Sequence, residues 1–165
     1  MTIMRFLRHV LAPGWWTARR FPVAARAAVG RAIAASETRH RGELRFVVEG
    51  GLPTAHLVAG RDARARAVEL FARLGVWDTA GNSGVLIYVQ LIDRRVEIVA
   101  DRGIDARVGQ DFWDGVCRQL EADFRDGRFE DGALKAIATI TDALARHFPP
   151  EGDNPNELPD HPVML

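Results

Sequence analysis

A chain of 165 residues, 47% hydrophobic and 27% charged, is long enough to close one hydrophobic core without disulfides or structural metals and too short for two ordinary domains. Its 22 basic and 22 acidic residues cancel, yet residues 1–45 hold nine Arg against two Glu, a local +7 that the remainder balances at −7. One cysteine excludes a disulfide framework, and a basic set that is all Arg except Lys135 carries no nucleic-acid signature, so no nucleic-acid partner is expected.

At the amino end, MTIMRFLRHVLA interrupts its apolar residues with Arg5, Arg8 and His9 and leaves no signal-peptide core. No segment has the length of a membrane span, and the expectation is a cytoplasmic protein. Trp15 and Trp16, flanked by Arg19 and Arg20, also suit the periphery of an anionic inner membrane. The competing reading packs both tryptophans on the domain or on a partner chain. Residues 1–21 therefore read as a basic extension, 22–149 as one α/β domain, and 150–165 as an acidic, Pro-rich tail.

Pro22 suits the first turn of a helix running to about Ser36, with Val23, Ala27, Gly30, Ile33 and Ala34 on one side. Glu43 to Glu49 (ELRFVVE) reads as the first strand, broken by Gly50-Gly51-Leu52-Pro53, and His56 to Ala59 as a short extended piece. The spacing of Ala67, Val68, Phe71 and Leu74 predicts a helix over 60–75, with Gly75 as a left-handed cap. Val85 to Leu91 is a nearly continuous apolar run, as in a strand buried on both faces, and Val96, Ile98 and Ala100 mark a returning strand after the turn Asp93-Arg94. Two further helices are predicted, over 109–125 and 130–147, separated by Asp126-Gly127-Arg128. Cys117 falls on the apolar stripe of the first, which reads as burial rather than nucleophilic duty. The tail lies on the surface or is disordered, with Leu158, Val163 and Leu165 as its docking residues.

Strand direction points to a site. A helical crossover makes the first two strands parallel, and a hairpin returns the third antiparallel. One sheet edge then collects Glu37, His40 and Glu43, Asp78 and Asn82, and Asp101 and Asp105. Clustered carboxylates need a cation or arginine partners, and hard cations such as calcium or magnesium take carboxylate, carbonyl and water oxygens. Arg39, Arg41, Arg102 and Arg107 are near enough in sequence to serve instead, and residues 101–105 lack EF-hand spacing. His40 and Glu43 have the residue types of a base and its orienter, but neither Ser36 nor Ser83 sits in a nucleophile elbow. Gly81-Asn82-Ser83-Gly84 precedes a strand rather than a helix, so no phosphate loop and no organic cofactor are expected. His9, His56, His147 and His161 lack zinc-ligand spacing.

The ordered segments SETRHRGELRFVVE, LFARLGVWDTAGNSGVLIYVQLIDRRVEIVADRGID and FWDGVCRQLEADFRDGRFEDGALKAIATITDALARHFP resemble the TPM domain family of plant thylakoid and worm MOLO-type proteins, over about 22–149. The resemblance implies a single-domain α/β/α sandwich with a small mixed central sheet and terminal extensions. It also implies divalent-cation binding, calcium above all, with acid phosphatase activity or photosystem repair in some members. Carried onto this chain, the candidate metal ligands are Glu37, Glu43, Asp78, Asp101 and Asp105. Many relatives carry an export signal and a carboxyl-terminal membrane helix that this sequence does not show. It is similar to the short bacterial branch encoded beside LemA-type membrane proteins, which implies a membrane-linked partner. The functional expectation is a non-catalytic binding or assembly module with a divalent ion at the acidic edge; the alternative is a metal-assisted phosphatase acting on phosphate esters.

Overall fold

Every residue from Gly84 to Gln90 is buried, because this apolar run is a central strand covered on both faces. In the computed structural model, which describes residues 3–152 and 155–165, twelve elements follow one another. They are α1 (Ile3–Val10), α2 (Trp15–Arg20), α3 (Val23–Glu37), β1 (Glu43–Glu49), α4 (Thr54–Val58) and α5 (Ala63–Arg73). Then come β2 (Gly84–Gln90), β3 (Arg95–Ala100), α6 (Arg102–Val108), α7 (Gln110–Arg125), α8 (Phe129–His147) and β4 (Val163–Met164). The sheet order is β3-β2-β1-β4, with β1 parallel to β2 and β4, and β3 antiparallel to β2.

Period-two alternation divides each strand between two apolar layers. Leu44, Phe46 and Val48 of β1, Val85, Ile87 and Val89 of β2, and Val96 and Ile98 of β3 join the larger core with α3, α7 and α8. Val47, Leu86, Tyr88 and Val99 face the other way, onto Ala63, Ala67 and Leu70 of α5. The result is an α/β/α sandwich around a mixed sheet, as the strand pattern and the resemblance both implied. Completely burying a side chain such as Ile33, Phe46 or Ile140 stabilises the fold by about 1.5–3 kcal/mol.

The smaller layer also contains a buried ion pair. Arg66 donates to both carboxylate oxygens of Glu49 (Nη2 to Oε1 2.7 Å, Nε to Oε2 3.1 Å), and the Tyr88 hydroxyl donates to Glu49 Oε2 at 2.5 Å. Burial, with Glu49 alongside, pushes the Tyr88 phenol well above its usual range. Arg66 also reaches Glu69 of its own helix at 2.8 Å, while its pair with Glu49 ties α5 to the sheet through groups that desolvation makes costly to leave alone.

Several segments depart from the pattern expected of them. His56 to Ala59 is not extended: residues 54–58 form α4, because Pro53 sets the chain for a helical turn and the His56 and Leu57 side chains are buried. The inward stripe of α3 is Ala25, Val29, Ile33 and Ser36, whereas Val23 is exposed, so the expected face is rotated. In α5, Leu70 takes the inward place expected of Val68. Residues 102–108, between the returning strand and the helix predicted from 109, are helical. The extension before residue 22 contains two helices, and the tail adds strand β4 to the free edge of β1. Cys117 packs against the larger core, and burial pushes its thiol up to about 12, where it is no nucleophile at neutral pH. Among the described residues no helix is long and apolar enough to cross a membrane.

Candidate functional site at the acidic sheet edge

The register brings the three strand ends together as direction alone required. Glu43 pairs with Gly84 across β1 and β2, and Val85 pairs with Ala100 across β2 and β3. The Asp101 amide then donates to the Gly84 carbonyl at 2.8 Å, closing the edge.

Asp101 is the N-cap of α6. Its Oδ1 accepts from the Arg102 amide at 2.7 Å, and its backbone carbonyl accepts from Ile104 and Asp105. Its Oδ2 is buried with no hydrogen-bond partner, and the residue as a whole is 8% exposed. A buried oxygen of this kind is uncommon, because leaving it unpaired costs about 1–3 kcal/mol. The loop before β2 lies against the same turn. A Cβ at Gly103 would stand 2.5 Å from the Asn82 carbonyl oxygen and 3.0 Å from that of Gly81, so only glycine lets the two segments approach. Asn82 itself adopts a left-handed conformation with φ 48°.

The other candidate ligands have protein partners or face solvent. Glu43 accepts from the backbone amides of Glu157 and Leu158, both at 3.1 Å, and so holds the tail. Glu37, at the end of α3, accepts from the Leu44 amide at 3.4 Å. Burial first, then the nearby Glu43 and Asp160, push its carboxyl up to about 8, and it shares a hydrogen bond with Asp160. Arg45 lies in the same pocket of charge, donating to the carbonyls of Pro159 and His161. Asp105 Oδ1 accepts from the Trp113 indole at 3.1 Å, and Asp78 is exposed.

The acids thus divide into a tail-holding set, Glu37 and Glu43 with Asp160, and a separate turn carrying Asp101 and Asp105. Among the described residues no group of three or more His, Cys, Asp or Glu could by itself hold a metal ion. Three of the four arginines expected to neutralise the edge go elsewhere: Arg39 pairs with Asp142, Arg41 with Glu151, and Arg107 donates to the His147 carbonyl. Sequence reasoning missed Arg45 and Asp160, whose roles appear only once the tail folds back beside β1.

His40 and Ser36 lie 2.7 Å apart, fully enclosed, and the surrounding bonds fix their proton order. The Gly42 amide donates to His40 Nδ1 at 3.1 Å, so the ring proton sits on Nε2 and is donated to Ser36 Oγ. The Ser36 hydroxyl donates in turn to Thr141 Oγ1 at 2.6 Å, and Thr141 to the Ile137 carbonyl. This polarity is opposite to that of a histidine base activating a serine. Burial pushes the imidazole down to about 4, so it stays neutral, and the chain of bonds joins α3 to α8.

The TPM domain model matches residues 17–143. Comparison with curated proteins found no match. Among solved structures, the BA42 protein from the psychrophilic bacterium Bizionia argentinensis is similar at 30% identity over 88% of this chain and 95% of that one, with a TM-score of 0.77. The N-terminal domain of a P. gingivalis protein shares the fold at 16% identity, over 86% of this chain and 95% of that one, with a TM-score of 0.61. With the sandwich, the strand register and a family match over most of its length, the chain belongs to the TPM domain family.

Proposed function

We propose that the chain is a non-catalytic binding module that takes a hard divalent cation, calcium or magnesium, at the turn between β3 and α6. The observation that carries this reading is Asp101 Oδ2, a buried carboxylate oxygen without a hydrogen-bond partner. The chemistry of the neighbourhood fits: Asp101 is the anionic ligand, and the Gly81 and Asn82 carbonyl oxygens that converge on Gly103 are the neutral ones, with water completing the shell. A bound cation would cancel the desolvation cost of Asp101 and clamp the loop before β2 to α6. Glu37 and Glu43 fit the ion poorly, since their oxygens already hold the tail.

The phosphatase alternative has less support. A serine route calls for an activated hydroxyl, and the buried Ser36–His40 pair has the wrong proton order; a metal-assisted route calls for cation-bound water open to a phosphate ester, whereas the Asp101 oxygen that would hold the ion is buried. Calorimetric titration of chelator-treated protein tests the reading. Saturable binding of calcium or magnesium that Asp101→Asn weakens at least about tenfold is expected, since the variant removes the only charged ligand. A flat titration at millimolar ion, or equal binding by Asp101→Asn, would remove the ion from the account.

A further inference from the structure

Helix α1 is packed inside out. Its polar side chains point into the molecule: Arg5 grips both oxygens of Asp93 (2.7 Å at the shorter contact), Arg8 donates to the Ile92 carbonyl at 3.2 Å, and His9 bridges Asp93 and the Leu52 amide. Burial raises the Asp93 carboxyl, but the bonds from Arg5 and His9 outweigh it and hold the group below its usual range, so the clamp is ionic at neutral pH. Trp15, at the start of α2, is 60% exposed, and Ile3, Met4, Leu7 and Val10 of α1, with Leu11 just after it, face outward, between 44% and 80% exposed. Apolar residues at this spacing form one stripe, and such a stripe on the outer surface marks an interaction site.

The hairpin turn that holds α1 continues directly into a second feature. Arg94, held in a left-handed conformation with φ 54°, and Arg95 line a cavity of about 140 Å³ together with Arg20 and Arg125. Its apolar wall is Trp16, Phe124 and Phe129, with Arg20 stacked 4.9 Å over the Phe129 ring. None of the four arginines forms an ion pair among the described residues. The one carboxylate in the lining, Glu121, already accepts from the Val96 amide at 3.0 Å, and Glu97 lies near Arg95. Four guanidinium groups against a single engaged carboxylate make a site for an anion, and Arg is the residue suited to phosphate.

We propose that this end of the molecule docks on an anionic lipid surface, with the outer stripe of α1 entering the acyl boundary and the arginine-lined cavity receiving a lipid phosphate. Charge and apolarity are both matched by one occupant: lipid supplies an apolar layer and an anion at a fixed short separation, which neither water nor a free phosphate ester does. Trp15 is the exposed interfacial aromatic, while Trp16 belongs to the cavity wall. The site is independent of Asp101, at the opposite end of β2.

Vesicle flotation in the presence of chelator tests it, which removes any calcium bridge and so separates this proposal from the ion reading. Wild type should float with phosphatidylcholine vesicles containing phosphatidylglycerol and not with phosphatidylcholine alone. Leu7→Asp with Leu11→Asp should abolish flotation, and Arg94→Glu with Arg125→Glu should weaken it at least about tenfold; unchanged circular dichroism shows that both variants fold. Soluble glycerol phosphate should compete poorly. Absence of flotation, flotation indifferent to either variant, or tight binding of glycerol phosphate by itself would overturn the proposal. A stable dimer in solution that Leu7→Asp dissociates would likewise overturn it, by giving the stripe to a second copy of the chain.

Discussion

His40 donates its Nε2 proton to Ser36, and not the reverse, because the Gly42 amide occupies Nδ1. The pair is therefore a structural clasp between α3 and α8. Ser36→Ala would remove the hydroxyl that accepts from the enclosed imidazole N–H, at a cost of about 1–3 kcal/mol. Urea denaturation should show that loss, and a fluorophosphonate serine probe should label neither protein. Covalent labelling at Ser36 would contradict the assigned polarity.

The pH dependence of stability has a defined sign at Glu37. Its folded pKa is raised from 4.5 to about 8, so the folded chain keeps a proton that the unfolded chain releases. Stability from this group is complete below about pH 4.5 and is lost as pH rises through about 8. His40 works in the other direction: lowered from 6.5 to about 4, it contributes stability that is lost as pH falls across that interval. Glu37→Gln should flatten the decline in melting temperature between about pH 5 and 8 while leaving the acid limb intact. Identical slopes for variant and wild type on the alkaline side would contradict the Glu37 assignment.

Arg66 and Glu49 are both nearly inaccessible, and the pair is expected to behave as a buried one does. Arg66→Met leaves Glu49 charged and half-compensated by Tyr88, a loss of about 3–5 kcal/mol in chemical denaturation. Adding Glu49→Gln should recover much of that loss, because it removes the uncompensated charge. Losses that simply add would argue against direct coupling.

Gly103 sits where the loop before β2 meets α6. Gly103→Ala must displace the Asn82 carbonyl, which would be 2.5 Å from the new methyl. Calcium affinity is expected to fall more than about tenfold, since misplaced ligands weaken a site that has a single carboxylate. Its melting temperature with chelator present separates a lost ligand geometry from a lost fold; undiminished affinity would exclude these carbonyls as ligands.

The hairpin of β2 and β3 was legible because period-two and continuous apolar patterns are local, and strand direction then located Asp101 at the shared edge. What was not legible depends on partners distant in sequence. Helix α6 buries only Ile104, so its seven residues carry no stripe to read. The two residues of β4 are defined by their register with Val47 and Val48 rather than by composition. The tail-holding role of Glu43 was hidden because the amides it serves lie more than a hundred residues away, at Glu157 and Leu158. The inward face of α1 is likewise chosen by Asp93, a partner that the interrupted apolar run of residues 1–12 does not reveal.

Amide chemical-shift mapping during a calcium titration decides whether Asp101 holds a cation. Saturable shifts concentrated at residues 81–84 and 101–105, absent in Asp101→Asn, are expected. Shifts centred instead on Glu37, Glu43 and residues 157–161, or none at millimolar calcium, would contradict the Asp101 site.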